Sequence, residues 1–176
     1  KMSYFSVDCE SDGPIIGINS LVCFGIVKVD EKLDKTFYGQ IKPISDKWDP
    51  GALAISGFSR EEHEKFDDPV YVMDKCYKWI MSNNTSYDPI LISDNNGYDA
   101  AWINYYFLRY SPQGKNPFGW SSRRIGDLYC GLVKDSKAKW KHLRKTKHTH
   151  NPVDDAKGNA EALLAIRDMG LKIDLK

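Results

Sequence analysis

The chain has 176 residues, of which 41% are hydrophobic and 28% are charged. This composition is ordinary for a folded globular domain, and it excludes a disordered or collagen-like chain. No stretch approaches the ~20 consecutive apolar residues of a membrane span, so we expect no membrane association. We expect a single domain over residues 1–176, because a chain of this length can bury about two thirds of its unfolded surface.

The net charge is +1, but acidic and basic residues are unevenly distributed along the chain. Residues 1–110 carry six more acids than bases, and residues 111–176 carry seven more bases than acids. This asymmetry favours an acidic site in the first part and a surface that faces a polyanion in the second, although a solvated surface alone also gives such an excess.

Targeting and redox signals are few. The four cysteines lie far apart with no C-x-x-C pair, and no signal-peptide pattern precedes the first predicted strand, so we expect a cytoplasmic protein. Lys1 ahead of Met2 is interpreted as a residue added in cloning, which makes Met2 the expected native start.

Strand-like segments come first in the chain and predict a sheet that contains an antiparallel hairpin. The first segment is short and aromatic and ends in an acidic cluster. A longer apolar run and a further strand-like segment follow before Pro43 and residues 49–51 interrupt the sheet. Two brief strands are expected later in the chain. The predicted strands span residues 4–9, 20–29, 36–41, 89–92 and 124–125.

Helical patterns fill the remainder of the chain. Ser59 and Glu62 have the spacing of a capping box, which predicts a short helix that begins at this serine. Apolar or aromatic residues recur at helical spacing in three longer segments, and a further short helix is expected. These predicted helices span residues 68–81, 98–110, 128–133 and 154–168. The order of elements is that of a mixed α/β domain.

Two acidic residues end the first predicted strand. Asp8 and Glu10 are two positions apart, so their side chains point to the same face of the strand. Adjacent carboxylates repel each other unless a cation compensates their charge, and carboxylate oxygens suit Mg²⁺ or Mn²⁺. A solvated surface pair without a metal is the alternative interpretation.

A third acid, Asp99, lies at the start of a predicted helix. Helix capping by Asp94 or Asn95, with Asp99 in the first turn, explains this segment without any function. The functional interpretation is that Asp99 leans towards the strand that carries Asp8.

The last helix is preceded by a histidine-rich segment. His150 and Asp155 are five positions apart across an extended-to-helix boundary, which can place the imidazole at the mouth of a cleft and the acid at its floor. Capping of the helix by Asp154 is the alternative, and His148 offers a second imidazole nearby.

The order of these three motifs is more specific than any one of them. Asp-x-Glu is followed about 90 residues later by Asn-x-x-Tyr-Asp and about 50 residues beyond that by His-x-x-x-x-Asp. In this order the sequence resembles the DEDDh group of 3′–5′ exonucleases, the superfamily of RNase T, oligoribonuclease and the proofreading subunits. Within it, the chain resembles the stand-alone bacterial and phage exoribonucleases typified by the mycobacterial adenylate-preferring RNase. The strings that carry the resemblance are FSVDCESDGP, PISDKWDPGALAISGFSREE, ISDNNGYDAAWINYYF, NPFGW, RRIGDLYCGL and HTHNPVDDAKGNAEALL.

The resemblance implies an α/β, RNase H-like fold, in which a central five-stranded mixed sheet has helices on both faces. It also implies two divalent cations, Mg²⁺ or Mn²⁺. Asp8 would bridge the two ions, Glu10 and Asp155 would complete the shell of the first, and Asp99 would support the second directly or through water.

The resemblance assigns the general base to His150, which has the family spacing before Asp155. His148 lacks that spacing and receives no catalytic role. The tyrosine variant of the superfamily would carry Tyr where this chain has Asn151. The implied reaction is hydrolysis from the 3′ end to nucleoside 5′-monophosphates, because two cations stabilise the attacking and leaving oxygens while the histidine takes the water proton.

Five further residues match family positions that contact the 3′-terminal nucleotide. Ser11 and Gly13 lie in the turn after the first motif, and Phe58 matches a loop that wedges against the terminal base. Stacking of Phe58 on a base and packing of Phe58 as a staple ahead of the next helix remain equal alternatives. Asn95 and Tyr98 match pocket residues with either a binding or a structural role.

The implied partner is single-stranded nucleic acid, and RNA 3′ ends are the first expectation. A DNA-directed exonuclease of the same chemistry and a binding module without turnover are the alternatives.

Residues 134–147 hold seven basic residues and Trp140, which predicts either a track for the phosphate backbone or a solvated loop. Relatives imply a homodimer, to which residues 102–107 and residues 116–120 could supply contacts, and burial of these segments in the core is the equal alternative. The implied location is the bacterial cytoplasm or that of a phage host.

Overall fold

A computed structural model of the chain describes residues 2–85 and 87–175, so Lys1 and its interpretation lie outside the described residues. Three strands come first in the chain, and six helices and two further strands follow within the described residues. The strands are β1 (Tyr4–Ser11), β2 (Leu21–Lys28), β3 (Thr36–Gln40), β4 (Ile90–Ser93) and β5 (Arg123–Arg124). The helices are α1 (Pro50–Ser56), α2 (Arg60–Glu64), α3 (Pro69–Asn83), α4 (Asn96–Tyr110), α5 (Ile125–Val133) and α6 (Pro152–Asp168), with a 3₁₀ turn at Lys141–Leu143.

The strands form one five-stranded sheet in the order β3-β2-β1-β4-β5. β1 pairs antiparallel with β2 and parallel with β4, β2 pairs antiparallel with β3, and β4 pairs parallel with β5. The predicted hairpin and the mixed sheet are therefore confirmed, with β1 at the centre.

Helices cover both faces of the sheet, because neighbouring residues of a strand point to opposite sides. Phe5 and Leu91 pack into the layer formed with α3 and α4, while their neighbours Tyr4 and Ile92 pack into the layer formed with α5 and α6. The prediction of helices on both faces is confirmed. Two cores on one sheet hold β1 rigidly, and β1 carries the first acidic motif.

The helix starts follow local capping chemistry. The capping box that begins at Ser59 is present with both of its hydrogen bonds. The cap of α6 is Asn151, whose side chain accepts from the Val153 N–H, and not Asp154 as the sequence alternative had it. Pro at the first helical position suits such a start because its missing N–H needs no partner.

Residues 49–51 interrupt the sheet as expected, and they also begin a helix that the sequence analysis missed. Asp49 caps α1 by accepting from the Gly51 N–H, and Pro50 takes its first position. This helix has only seven residues and little periodicity, so the sequence contains no pattern that predicts it. The expected strand at residues 124–125 is wrong at its second residue, since Ile125 begins α5 and its side chain is buried with Tyr129.

The two expected dimer surfaces differ in exposure. Trp102, Tyr106 and Phe107 of α4 are buried in the core, so this face is occupied within the chain. In the following loop Phe118 is also buried, whereas Trp120 is 94% exposed. Among the described residues, no helix is both long and apolar enough to cross a membrane.

Candidate active site

The site lies where the end of β1 meets the first turn of α6. Asp8 and Glu10 share the strand face that also carries Ser6, and the Ser6 hydroxyl donates to the Ala156 carbonyl of α6 at 2.7 Å. The two carboxylates therefore face the first turn of α6, where Asp155 is buried. One carboxylate oxygen from each of the three acids lies within 4.8 Å of the others.

A glycine in β2 permits this close approach. Gly25 pairs with Asp8 across the sheet, and a Cβ at this position would lie 2.4 Å from the carbonyl carbon of Pro152 and from the Val153 nitrogen. Any side chain would displace the start of α6, because real contacts of a Cβ do not come this close. The sequence analysis missed Gly25, since a glycine within an apolar strand has no distinctive pattern.

Asp155 is held by the segment that precedes α6. Its Oδ1 accepts the Thr149 N–H at 3.0 Å, while Thr149 Oγ1 donates to Asp154 at 3.0 Å. Its Oδ2 is buried, has no hydrogen-bond partner and lies 3.3 Å from His148 Nε2. One oxygen of Asp155 thus fixes the loop and the other is turned towards the site.

His150 lies at the rim of the site and is exposed to solvent. Its backbone is left-handed, with a φ of 62°, which only a few non-glycine residues adopt. Its ring contacts the ring of His148 edge-on, with a centroid separation of 4.5 Å. The turn therefore presents two imidazoles beside Asp155, although the sequence analysis assigned a role to only one of them.

Asp99 is buried in the first turn of α4 and contacts β1 directly. Its Oδ1 accepts the Cys9 N–H at 3.0 Å, so it lies against the strand that carries Asp8, as expected. Burial raises the pKa of Asp99 to about 7, with further increases from Asp94 and Glu10, while the Cys9 hydrogen bond favours the ionised form.

Burial and mutual repulsion dominate the electrostatics of the acid cluster. Burial raises the pKa of Asp8 well above its usual value, and the charges of Asp99, Glu10 and Asp155 raise it further. The pKa of Glu10 rises to about 7, chiefly through burial, while nearby His150 lowers it. Such a cluster is stable only when it is partly protonated or when it binds a cation.

The donor set fits a hard divalent cation. Asp8 Oδ2 and Asp155 Oδ2 are buried without hydrogen-bond partners, and Glu10 lies beside them. Unpartnered buried carboxylate oxygens are costly unless a ligand satisfies them, and oxygen donors are what Mg²⁺ and Mn²⁺ prefer. Asp8, Glu10 and Asp155, with Asp99 adjacent, are the residues available to hold such ions.

Arg144 is a site residue that the sequence analysis missed. Its side chain is only 11% exposed, and its Nη2 lies 3.7 Å from Asp155 Oδ1, while its Nη1 donates to Asn159 Oδ1. Gly158 makes room for it, since a Cβ there would lie 2.5 Å from Nη2. The arginine was hidden among exposed lysines of residues 134–147, and no sequence signal separates it from them.

The turn after the first motif is tightly packed. Ser11 is buried, donates to the Gly13 carbonyl at 2.8 Å and shares a 2.6 Å hydrogen bond with the Tyr98 hydroxyl. Gly13 is also buried, and the space of a Cβ there is filled by the Asn19 side chain. Gly13 therefore allows close approach of Asn19. Tyr98 lines an open depression beside Asn95 and Arg124.

The other two expected nucleotide contacts lie at the surface. Phe58 is half-buried against Leu53, and its ring meets the Phe66 ring edge-on with a centroid separation of 4.9 Å. The ring of Phe58 therefore packs against a residue two positions beyond the end of α2. Asn95 is exposed and takes the N-cap position of α4, as the capping interpretation has it, but its side chain makes no capping hydrogen bond.

The basic run is divided between surface and core. Trp140 is buried in the layer with α5 and α6, and Arg144 is mostly buried at Asp155, so neither belongs to an exposed track. The lysines of the run are exposed and remain available to a polyanion. They are Lys134, Lys137, Lys139, Lys141, Lys145 and Lys147.

Comparison with known proteins places the chain in a family. The chain is 32% identical over 184 aligned residues to a 3′–5′ DNA exonuclease, Cap18 of Escherichia coli, covering 98% of this chain and 95% of the relative. No protein-family model matches the chain.

Solved structures share the fold. The nuclease domain of 3′hExo, a DEDDh family member bound to rAMP, superimposes with a TM-score of 0.76 at 17% identity, covering 99% of this chain and 96% of that one. E. coli Exonuclease I in complex with a dT13 oligonucleotide gives a TM-score of 0.67 at 15% identity over 95% of this chain and 41% of that one. The RNase H-like architecture is confirmed by these neighbours.

The relative aligns with almost the whole of this chain, so the chain belongs to the 3′–5′ exonucleases. It shares its fold with 3′hExo, a member of the DEDDh class of these nucleases. Exonucleases of the DEDDh class use divalent metal ions, and the acid cluster of this chain has the donors for such ions.

Proposed function

We propose that the protein hydrolyses the 3′-terminal phosphodiester of single-stranded nucleic acid and releases nucleoside 5′-monophosphates. Asp8, Glu10, Asp99 and Asp155 hold two divalent cations, Mg²⁺ or Mn²⁺, and His150 is the general base. The observation that carries the proposal is the pair of buried, unpartnered oxygens, Asp8 Oδ2 and Asp155 Oδ2, beside Glu10.

Two divalent cations supply stabilisation of the charge on the attacking and leaving oxygens. Residues of the chain provide the proton transfer and the positioning of the metal ligands. His150 sits at the solvent-exposed rim, where a neutral imidazole can take the proton of the attacking water at a ring nitrogen. Arg144 and the Thr149 amide fix Asp155, so that its second oxygen stays directed into the site.

The terminal nucleotide is expected to contact the rim formed by Tyr98, Asn95 and Phe58. Tyr98 is held by Ser11, and the depression beside it also includes Arg124, a cation suited to a phosphate. Phe58 is fixed on one edge by Phe66, which leaves part of the ring accessible for stacking on a base. Ser11 and Gly13 are buried, and we assign them the role of positioning this rim.

DNA is the substrate that the comparison favours, because the relative that aligns with almost the whole chain is named a DNA exonuclease. RNA is the second candidate. It is supported by the motif resemblance to stand-alone exoribonucleases and by a structural neighbour described as a 3′-exonuclease that recognises the histone mRNA stem-loop. The choice between DNA and RNA depends on whether the rim of the site has room and a partner for the 2′-hydroxyl of RNA.

Digestion of matched 5′-labelled DNA and RNA single strands with Mg²⁺ or Mn²⁺ tests both the exonuclease activity and the choice between DNA and RNA. We expect a ladder that shortens from the 3′ end, faster on DNA, and no ladder with Asp8→Ala or His150→Ala. Retarded migration of the oligonucleotide without shortening would favour the binding module. Faster loss of the RNA ladder would select the exoribonuclease.

We propose a homodimer that uses the surface around Trp120. This side chain is 94% exposed and borders a surface depression with Tyr87 and Arg123, and exposed aromatics of this kind are typical of interfaces. Light scattering of the wild type and of Trp120→Ser tests the assembly: a dimer that the substitution dissociates is expected, and a wild-type monomer would contradict it. We place the protein in the cytoplasm, consistent with four unpaired cysteine thiols.

A further inference from the structure

His148 is the residue of this site that the exonuclease chemistry does not use. It lies two positions before the general base, and its side chain is 54% exposed. Its Nε2 nevertheless lies 3.3 Å from Asp155 Oδ2, and its ring packs edge-on against that of His150. The arrangement brings two imidazoles and one carboxylate together at the rim.

The three side chains form a second candidate set of metal ligands. One ligand atom each from His148, His150 and Asp155 lies within 4.8 Å of the others. The carboxylate oxygen involved, Asp155 Oδ2, is shared with the oxygen-rich set and is directed at a position that a ligand could fill. It belongs to a residue that is only 1% exposed, and it has no hydrogen-bond partner.

The chemistry of this set differs from that of the acid cluster. Two imidazole nitrogens and one carboxylate oxygen suit Zn²⁺ and similar transition metals, whereas Mg²⁺ prefers oxygen donors alone. Two ligands of a tetrahedral Zn²⁺ with bonds of about 2.0–2.1 Å lie about 3.3 Å apart. His148 and Asp155 have this separation, and exposed His150 can rotate to complete three ligands with a fourth position open.

We propose that His148, His150 and Asp155 form a zinc-type site that shuts off the nuclease. The consequence for activity rests on the proposed function, because zinc bound there occupies both the general base and an acid needed for the cations of catalysis. Asp155 has one oxygen directed into the site, and the Thr149 amide holds the other. The acid therefore serves either the oxygen-rich set with Asp8 and Glu10 or the histidine set.

Zinc titration calorimetry of the full chain tests the site without any activity measurement. We expect His148→Ala to weaken Zn²⁺ binding by about tenfold or more, and Lys147→Ala, the exposed neighbour, to leave it unchanged. Asp8→Asn changes a ligand of the oxygen-rich set but none of the histidine set, so we expect this variant to retain Zn²⁺ binding. Equal affinity in His148→Ala and the wild type, or loss of binding in Asp8→Asn, would overturn the proposal.

Nuclease assays at constant Mn²⁺ with increasing Zn²⁺ test the regulatory consequence. His148→Ala should keep the activity measured without zinc and should need about tenfold more Zn²⁺ for half inhibition than the wild type or Lys147→Ala. Identical inhibition of all three proteins would overturn the regulatory role. A wild type that is inactive in Mn²⁺ would instead refute the proposed function, and the calorimetry would still decide whether the zinc site exists.

Discussion

Gly25 of β2 lies directly against the Pro152 peptide at the start of α6, where an added Cβ would come within 2.4 Å of the Pro152 carbonyl carbon. Gly25 is also the cross-strand partner of Asp8. This one contact therefore sets the distance between the paired acids of β1 and Asp155 on α6. The geometry of the metal site depends on a residue that binds no metal.

Replacement of Gly25 by Ala should move the start of α6 away from the sheet. We expect a loss of about 1–3 kcal/mol in the free energy of unfolding, and a fall in activity of about a hundredfold, because a displacement of about 1 Å separates the acids. Gly131→Ala is the matched control, since a Cβ there meets nothing within 4 Å. Denaturant unfolding and oligonucleotide digestion measure the two effects, and full activity in Gly25→Ala would contradict the packing argument.

The acid cluster should make the metal-free protein less stable as the pH rises. The pKa of Glu10 and that of Asp99 are both raised to about 7, so the folded protein binds more protons than the unfolded chain below that pH. The free energy of unfolding therefore falls as the pH rises from the ordinary carboxyl range to about 7, and it stays low above it.

Asp8→Asn should relieve this repulsion while abolishing nuclease activity. At pH 8 without metal we expect its Tm to exceed that of the wild type by about 2–4 °C, the shift that about 1 kcal/mol gives in a domain of this size. Mn²⁺ should raise the Tm of the wild type but not that of the variant. Asp34→Asn, at an exposed position, is the control. A lower Tm for Asp8→Asn than for the wild type at pH 8 would refute the electrostatic account.

His150→Asn removes the proposed base and keeps a residue that tolerates the left-handed backbone at this position. We expect kcat to fall by about 10²–10⁴-fold, with little change in KM or in Mn²⁺ affinity. His142→Asn, at another exposed histidine, should be active. Single-turnover rates measure the effect. A loss of only a few fold would assign proton transfer to another group.

Arg144→Lys keeps the positive charge beside Asp155 but loses the planar fork that also reaches Asn159. We expect Mn²⁺ affinity to fall by about 10–100-fold, as is usual when a residue that orients a metal ligand is changed. Lys145→Ala, an exposed neighbour, should behave as the wild type. Calorimetry with Mn²⁺ provides the measurement, and unchanged affinity would show that Arg144 has only a packing role.

The sequence predicted what depends on local pattern. The strand β1 with its paired acids, the capping box at Ser59 and the long helix α6 follow from alternation, spacing and caps. Their order along the chain pointed to the nuclease class, which the relative and the shared fold support.

The features that the sequence could not predict depend on tertiary contacts. The contact between Gly25 and Pro152 joins residues far apart in the chain, and the burial of Arg144 and Trp140 is invisible within a run of lysines. The approach of His148 to Asp155 depends on the left-handed turn at His150, which the residue type does not signal.

Crystals grown with Mn²⁺ and a nucleoside 5′-monophosphate test the central claim most directly. The account predicts two anomalous peaks separated by about 3.5–4 Å. Asp8 should contact both peaks, Glu10 and Asp155 should contact one of them, and Asp99 should lie beside the other. A map with no peak at Asp8, or with Glu10 and Asp155 on different ions, would contradict it.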